Sequence, residues 1–216
     1  MSDAMNGHLA AMLAQGLAEM GLPLDAAQQS KLLAYVALLQ KWNKVYSLTA
    51  IREPEKMVTH HLLDSLAPLL FLPTTPLRMV DVGSGFGTPG IPFAIARPDW
   101  ALTLLDSNQK KTTFLRQAIL ELGLSNVSVI TGRVEAVEPA AKFDVITSRA
   151  FADLADFINW TRHLLADGGE WAALKGVYPQ DEIASLPAGV YVDGVDALSV
   201  PGLDAERHLV HIRKAA

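Results

Sequence analysis

Val80-Asp-Val-Gly-Ser-Gly-Phe-Gly-Thr-Pro-Gly90 sets four glycines into eight residues directly behind a short apolar run. Glycine allows positive φ and lets a ligand lie against the main chain. A tight strand-to-helix turn alone would use fewer glycines, so a ligand loop is the stronger reading. In an open α/β sheet such a loop lies at the carboxyl ends of the strands, where ligands bind. Gly85-Phe-Gly87-Thr-Pro-Gly90 also spells the dinucleotide pattern G-x-G-x-x-G, with Asp106 about twenty residues on. Asp81 argues against that match, because a carboxylate just before the turn would face a pyrophosphate with like charge. It suits a cationic or ammonium-bearing ligand.

Further polar residues fall at strand ends, where a sheet would deliver them to the same edge. Asp106 ends one run and is placed to accept hydrogen bonds from ribose hydroxyls; its plain alternative is a cap for the helix that follows. Arg149 and Lys175 end two later runs and are candidates for contact with the reacting groups, as is Asn43 further upstream. An Arg149–Asp153 ion pair and a solvated Lys175 are the plainer readings. His61 and Asp64, three residues apart, suggest a local hydrogen bond rather than chemistry. Trp42 and Tyr46 could stack on a base but are read as packing. Lys110, Lys111 and Arg116 form one cationic group with no acid between them, and Lys44 and Arg52 belong to a second, diluted by Glu53 and Glu55.

The elements that position these groups follow from periodicity. Residues 5–20 and 24–41 read as helices, turned at Gly21-Leu-Pro23, with Asp25 favourably placed at the second start. Trp42 to Arg52 reads as an irregular connector, and Pro54 opens a third helix to about Leu70. From Leu77 the rhythm becomes strand and helix in alternation. Strands are expected at Arg78–Val82, Ala101–Leu105, Val127–Ile130, Phe143–Ser148 and Glu170–Leu174, with helices at Ile91–Arg97, Asn108–Gly123 and Asp153–Leu165. Alternation of this kind means a parallel sheet covered on both faces. Val190–Val200 and Arg207–Ile212, joined at Pro201-Gly202, leave no room for a crossover and predict an antiparallel hairpin at the sheet edge. The expected organisation is a helical extension over 1–76 packed on a core over 77–216.

Composition bounds the partners. The 216 residues are half apolar, enough for one filled core. There is no cysteine, which excludes disulfides, thiolate metal sites and a cysteine nucleophile; no metal is expected. Met1 to Gly7 carry no basic segment ahead of an apolar run, and no apolar stretch approaches the ~20 residues of a membrane span. A cytoplasmic monomer without membrane contact is expected. A net charge of −5 works against a general nucleic-acid binder but allows a local basic face.

Asp81-x-Gly-x-Gly-x-Gly resembles the cofactor motif of class I S-adenosylmethionine-dependent methyltransferases, whose cofactor carries an ammonium and a sulfonium and no phosphate. Without a cysteine, covalent addition to a base ring has no nucleophile. Ser148-Arg-Ala-Phe151 stands where exocyclic-amine methylases carry an Asn/Asp-Pro-Pro-aromatic tetrad. A ring nitrogen with a free lone pair needs no general base, so alignment and charge stabilisation would carry catalysis.

Several segments together resemble the ribosomal RNA small subunit methyltransferase G family, also called glucose-inhibited division protein B. They are Lys41-Trp-Asn-Lys-Val-Tyr-Ser-Leu-Thr-Ala50, His61-Leu-Leu-Asp-Ser-Leu66, Asp81 through Pro92, Leu104-Leu-Asp-Ser107, Arg133-Val-Glu135, Ser148-Arg-Ala-Phe-Ala152, Leu174-Lys-Gly176 and Arg207-His-Leu-Val210. The resemblance implies a Rossmann-like fold with a seven-strand, mostly parallel sheet. It also implies S-adenosylmethionine as cofactor, 16S rRNA or the small ribosomal subunit as partner, and transfer to N7 of one guanine. By this resemblance Asp81, Gly83, Gly85, Gly87, Thr88, Asp106, Val134, Glu135 and Arg149 would hold the cofactor. In an RNA enzyme of net acidic charge, Lys110, Lys111, Arg116, Lys44 and Arg52 are the candidate RNA contacts. Thr88 stands where the family often has a large apolar residue. A small-molecule methyltransferase with the same cofactor site is the alternative, and a NAD-dependent oxidoreductase a more distant one.

Overall fold

The computed structural model describes residues 3–215; residues 1, 2 and 216, the ends of the expected extension and core, lie outside them. Two long helices come first, α1 (Asp3–Met20) and α2 (Ala26–Tyr46). Asp25 starts α2 with a reciprocal cap: its Oδ1 accepts from Gln28 N at 2.8 Å, and Gln28 Oε1 accepts from Asp25 N at 2.9 Å. The Gln28 amide also donates to the Ile95 and Ala96 carbonyls at 3.0 Å, so the cap ties α2 to the core.

The connector expected from Trp42 is shorter than periodicity suggested. α2 continues to Tyr46 and ends at Ser47 in the left-handed region. Asn43 makes the ending possible. Its Nδ2 donates to Thr49 O at 3.0 Å and its Oδ1 accepts from Thr49 N at 2.9 Å, stitching the returning chain to the last turn.

The third helix is also not one α-helix. Pro54 opens α3 (Pro54–Met57), a π-helical turn covers Val58–Leu63, α4 is Asp64–Leu66, and a 3₁₀ turn at Ala67–Leu70 carries Pro68. The wide turn sets Val58, Thr59, His61, Leu62 and Leu63 all in the interior, and Gly16 on α1 leaves the space that the Leu63 side chain fills. Packing on both sides of the segment therefore decided its pitch, a term that local propensity does not contain.

The sheet has seven strands in the order β3-β2-β1-β4-β5-β7-β6. They are β1 (Arg78–Val82), β2 (Ala101–Asp106), β3 (Val127–Thr131), β4 (Phe143–Arg149), β5 (Leu165–Lys175), β6 (Val190–Ala197) and β7 (His208–Lys214). The first five run parallel, while β7 inserts antiparallel between β5 and β6. This is the Rossmann-like arrangement with an antiparallel C-terminal hairpin. Helices α5 (Gly90–Ala96), α6 (Gln109–Leu122), α7 (Leu154–Thr161) and α8 (Gln180–Ala184) cover it.

Several boundaries differ from the periodic reading. β5 begins at Leu165, ahead of the expected start at Glu170, and residues 166–169 form an irregularity inside it, where pairing jumps from Phe143–Leu165 to Val145–Glu170. α7 ends at Thr161 and finishes as a 3₁₀ turn over Arg162–Leu164. The hairpin strands are separated by residues 198–207, closed by Leu198 N donating to Arg207 O at 2.8 Å. The short helix α8 had no distinct periodic signal.

Two apolar clusters lie on the two faces of the sheet. One contains Leu13, Leu32, Val36 and Leu62 of the N-terminal helices together with Met79 and Leu102 of the sheet, so residues 3–76 share one core with the strands they cover. The other lies under α7 and contains Phe157, Trp171 and Val210. No helix among the described residues is long and apolar enough to cross a membrane.

Candidate functional site

The glycine loop leaves β1 and folds over the end of β2. Gly83 N and Ser84 N both donate to Leu105 O, at 2.8 and 3.0 Å. Ser84 Oγ donates to Asp81 O at 2.7 Å and accepts from Leu105 N at 3.0 Å. Gly85 N then donates to Asp106 Oδ2 at 2.9 Å, and Asp106 Oδ1 accepts from Asn108 N at 2.8 Å. Asp106 is thus fixed by two backbone donors and is not the helix cap. Asn108 is, accepting from Lys110 N at 2.9 Å.

A cleft of about 310 Å³ opens beside this loop at the carboxyl ends of β1, β2 and β4. Gly83 and Asp106 form one side, Val134 and Glu135 another, and Phe151 with Trp160 a third. Gly83 has φ +70°, and a Cβ there would sit 2.6 Å from the Phe151 ring, so the wall at this point must be bare backbone. Phe151 and Trp160 meet edge to face at 5.7 Å. Lys111 reaches the same cleft, its Nζ 3.9 Å from Asp106 Oδ2.

Of the expected cofactor residues, Gly83, Asp106, Val134 and Glu135 come together around this cleft. The others support it from beneath or behind. Gly85 bonds Asp106, and Gly87 closes on Ile91 and Leu115. Asp81 is completely buried, its Oδ2 accepting from Gly90 N at 3.1 Å. Its other oxygen, Oδ1, has no partner among the described residues. Burial pushes the Asp81 carboxyl up to about 7, against the opposing pull of the Gly90 N–H and the Arg149 charge.

Arg149 leaves the end of β4 toward the N-terminal helices. Its Nη1 donates to His60 O and pairs with Asp64 Oδ2, both at 3.3 Å, and its Nη2 bonds the Thr88 hydroxyl. Asp64 pairs through its other oxygen with Arg207 Nε at 2.8 Å. Asp64 therefore holds two guanidiniums from the core and makes no bond to His61. His61 Nε2 lies 3.0 Å from the Thr49 hydroxyl, and its ring stands 4.7 Å from that of Phe86. Burial, with Arg149 beside it, holds the His61 imidazole down to about 4, so it is neutral. Asp153 does not pair with Arg149; it caps α7, accepting from Asp156 N at 2.8 Å.

The remaining candidates lie elsewhere. Lys175 donates to Ala152 O at 3.0 Å and pairs with Glu182 at 2.6 Å, bracing β5 against α8. Asn43 is committed to the turn after α2. Lys44 and Arg52 line a different hollow. Arg116 donates to the Thr131 hydroxyl at 3.0 Å, and Lys110 is exposed with no ion pair among the described residues. Trp160 was missed by sequence reasoning, because an aromatic on a helix reads as packing. The Asp64–Arg207 pair, 143 residues apart, had no sequence signal.

The cleft suits a nucleoside-bearing cation better than a dinucleotide. Asp106 is an anchored acceptor for ribose hydroxyls, and Val134 and the aromatic pair offer apolar walls for a base. Gly90 N, which a pyrophosphate would need, is already given to Asp81, and a carboxylate with an unpartnered oxygen lies below the loop. With Gly83 leaving the cleft wall bare, these residues fit S-adenosylmethionine.

Read as the partner of the ligand ammonium from beneath the loop, Asp81 would give this fit a pH dependence. With its carboxyl raised to about 7, the folded protein holds a proton between the ordinary carboxylate range and pH 7 that the unfolded chain has released. Stability therefore falls as pH rises through that window. A ligand ammonium favours the charged form, so S-adenosylmethionine affinity should rise between pH 6 and 8. Calorimetry across this range should show that rise in the native protein and a flat profile in Asp81→Asn; equal slopes would remove Asp81 from the site.

The rRNA small subunit methyltransferase G family model matches residues 28–210. Ribosomal RNA small subunit methyltransferase G of Laribacter hongkongensis is 64% identical over 93% of this chain and 96% of its own. The protein of the same description from Neisseria meningitidis serogroup C is 61% identical over 94% and 97%. Among solved structures, a glycopeptide N-methyltransferase complexed with S-adenosyl-L-methionine superposes with a TM-score of 0.54 at 14% identity, covering 71% of this chain and 87% of that one. That likeness is one of fold.

Proposed function

The chain belongs to the rRNA small subunit methyltransferase G family, and from that premise we propose that it transfers the methyl group of S-adenosylmethionine to N7 of a guanine in 16S rRNA, giving 7-methylguanosine. The observation that carries the reading is Asp106, held by Gly85 N and Asn108 N at the edge of a cleft whose opposite walls are apolar and aromatic.

When bound, S-adenosylmethionine supplies an electrophilic methyl group on a sulfonium. Asp106 would accept from its ribose hydroxyls, Val134 and Glu135 would flank its adenine, and Gly83 would let its methionine end lie on the main chain. Guanine N7 carries a free lone pair and loses no proton on attack, so no side chain has to act as base. The work left to the protein is alignment and shielding. Arg149, clamped by Asp64, Thr88 and the His60 carbonyl, holds a fixed positive charge at the end of β4, beside the loop. That charge would orient the guanine O6 edge, or a phosphate next to it.

Incubating the protein with methyl-labelled S-adenosylmethionine and small subunits from cells lacking the enzyme, then mapping modified nucleosides, tests this directly. Label in 7-methylguanosine at one position is the expected result. Label in any other nucleoside would overturn the N7 assignment, and no label in RNA would overturn the rRNA substrate.

A further inference from the structure

The C-terminal end of α2 carries an arrangement that the cofactor cleft does not use. Trp42 and Tyr46, one turn apart, stack with ring centroids 5.2 Å apart at 27°. Trp42 also meets Phe114 of α6 edge to face at 5.5 Å, so its ring is fixed from two sides. Trp42 is thereby a packing residue. Tyr46 is not: it is 47% exposed, and its neighbour Val45 is 74% exposed. Tyr46 is thus an aromatic ring stacked on a half-buried one that is itself held by Phe114, with its outer face left in solvent.

The charge around it is equally specific. Lys41, Lys44 and Arg52 make no ion pair among the described residues. Lys44 and Arg52 both line a hollow of about 330 Å³ whose other lining residues include Gln40 and Ser47 and no carboxylate. The nearest acid in sequence, Glu53, is occupied: Oε1 pairs with Lys56 at 3.1 Å and Oε2 accepts from the Arg52 main-chain N at 3.3 Å, leaving the Arg52 guanidinium free. In a chain of net charge −5, unpaired cations gathered around a rigid exposed aromatic complement a polyanion with stacking bases. Through Phe114 this corner is packed onto α6, whose first turn carries Lys111 into the cofactor cleft.

We propose that the end of α2 is a docking site for single-stranded RNA, in which one base stacks on Tyr46 while neighbouring phosphates meet Lys44 and Arg52. This rests on the rRNA reading above and adds to it a binding surface separate from the reacting centre. Stacking on Tyr46 tolerates any base, so the site would contribute affinity and register, with the choice of guanine left to the cleft.

The test uses full-length protein with Tyr46→Ala, Tyr46→Phe and the double variant Lys44→Ala/Arg52→Ala. Methyl transfer to small subunits and filter binding to naked 16S rRNA are measured for each, with calorimetry of S-adenosylmethionine as a check on the cleft. Tyr46→Ala should raise KM for subunits and Kd for naked rRNA about tenfold, with kcat and cofactor affinity unchanged, and Tyr46→Phe should retain native values. The double variant should lower the slope of log Kd against log salt by about 2. Native RNA affinity in Tyr46→Ala, or an equal defect in Tyr46→Phe, would overturn the proposal. A defect on subunits with unchanged binding to naked rRNA would overturn it in favour of a ribosomal-protein contact. A native protein that transfers no methyl to subunits and binds no rRNA would instead remove the rRNA reading, and this proposal with it.

Discussion

Gly83→Val is expected to weaken S-adenosylmethionine binding at least about 100-fold and to remove methyl transfer, because two penalties meet at one position. Gly83 has φ +70°, a conformation that costs a β-branched residue on the order of 1–3 kcal/mol. A Cβ there also lands 2.6 Å from the ring of Phe151, which lines the cleft and is held edge to face by Phe157 and Trp160, so any shift of that ring alters the cleft wall. Gly123 separates the two effects. It closes α6 at φ +61°, and a Cβ there meets nothing within 4 Å. Gly123→Val therefore carries the backbone penalty alone and should lose about 2 kcal/mol of stability with unchanged cofactor affinity. Isothermal titration of both variants, with urea melts alongside, makes the comparison. Native cofactor affinity in Gly83→Val would mean that the cleft is not the cofactor site.

Asp64→Ala should cost about 3 kcal/mol of folding stability, at the low end of what breaking a buried pair costs because its partners keep some solvent. The side chain of Asp64 is 4% exposed, while those of Arg149 and Arg207 are 23% and 25% exposed. One carboxylate thus pairs, one oxygen each, with two guanidiniums that reach it from β4 and from the hairpin connection. Its loss leaves both cations facing each other at the junction of the N-terminal helices and the sheet. Arg149 would also lose the anchor that holds it against Thr88, so kcat should fall further than stability alone explains. Urea denaturation of Asp64→Ala and Asp64→Asn is the measurement. A change below about 0.5 kcal/mol in both would show that the triad is an ordinary surface pairing.

The two variants probe features that differ in how far they could be read from the chain. Gly83 was legible: a glycine run behind an apolar strand has few uses, and Asp81 ahead of it pointed away from a phosphate ligand. Asp64 was legible only as a helix residue near His61. Its partners lie 85 and 143 residues away, and no local pattern announces a pair at such separation. Trp42 and Tyr46 show the same division within one helical turn. Periodicity put both in the connector after the second helix, whereas the structure places them on the last turn of α2, where Trp42 packs half-buried on α6 and Tyr46 stays open.

What the sequence determined by itself is whatever local chemistry dictates. Strand and helix alternation after Leu77 implied a parallel sheet. The missing crossover between the last two strands implied an antiparallel hairpin. The glycine loop and the strand-ending Asp106 pointed to the carboxyl edge of the sheet, where the structure has a cleft lined by Gly83 and Asp106. Tertiary structure decided what depends on neighbours distant in the chain. It drew the segment after Pro54 into a π-helical turn, because both sides of that segment are buried. It placed Asp81 beneath the loop, where burial raises its carboxyl to about 7. It turned Arg149 from a residue at a strand end into one clamped between Asp64 and Thr88. Propensity and periodicity act over a few residues, whereas burial and ion pairing are set by which surfaces meet, and that is known only once the sheet has closed against its helices.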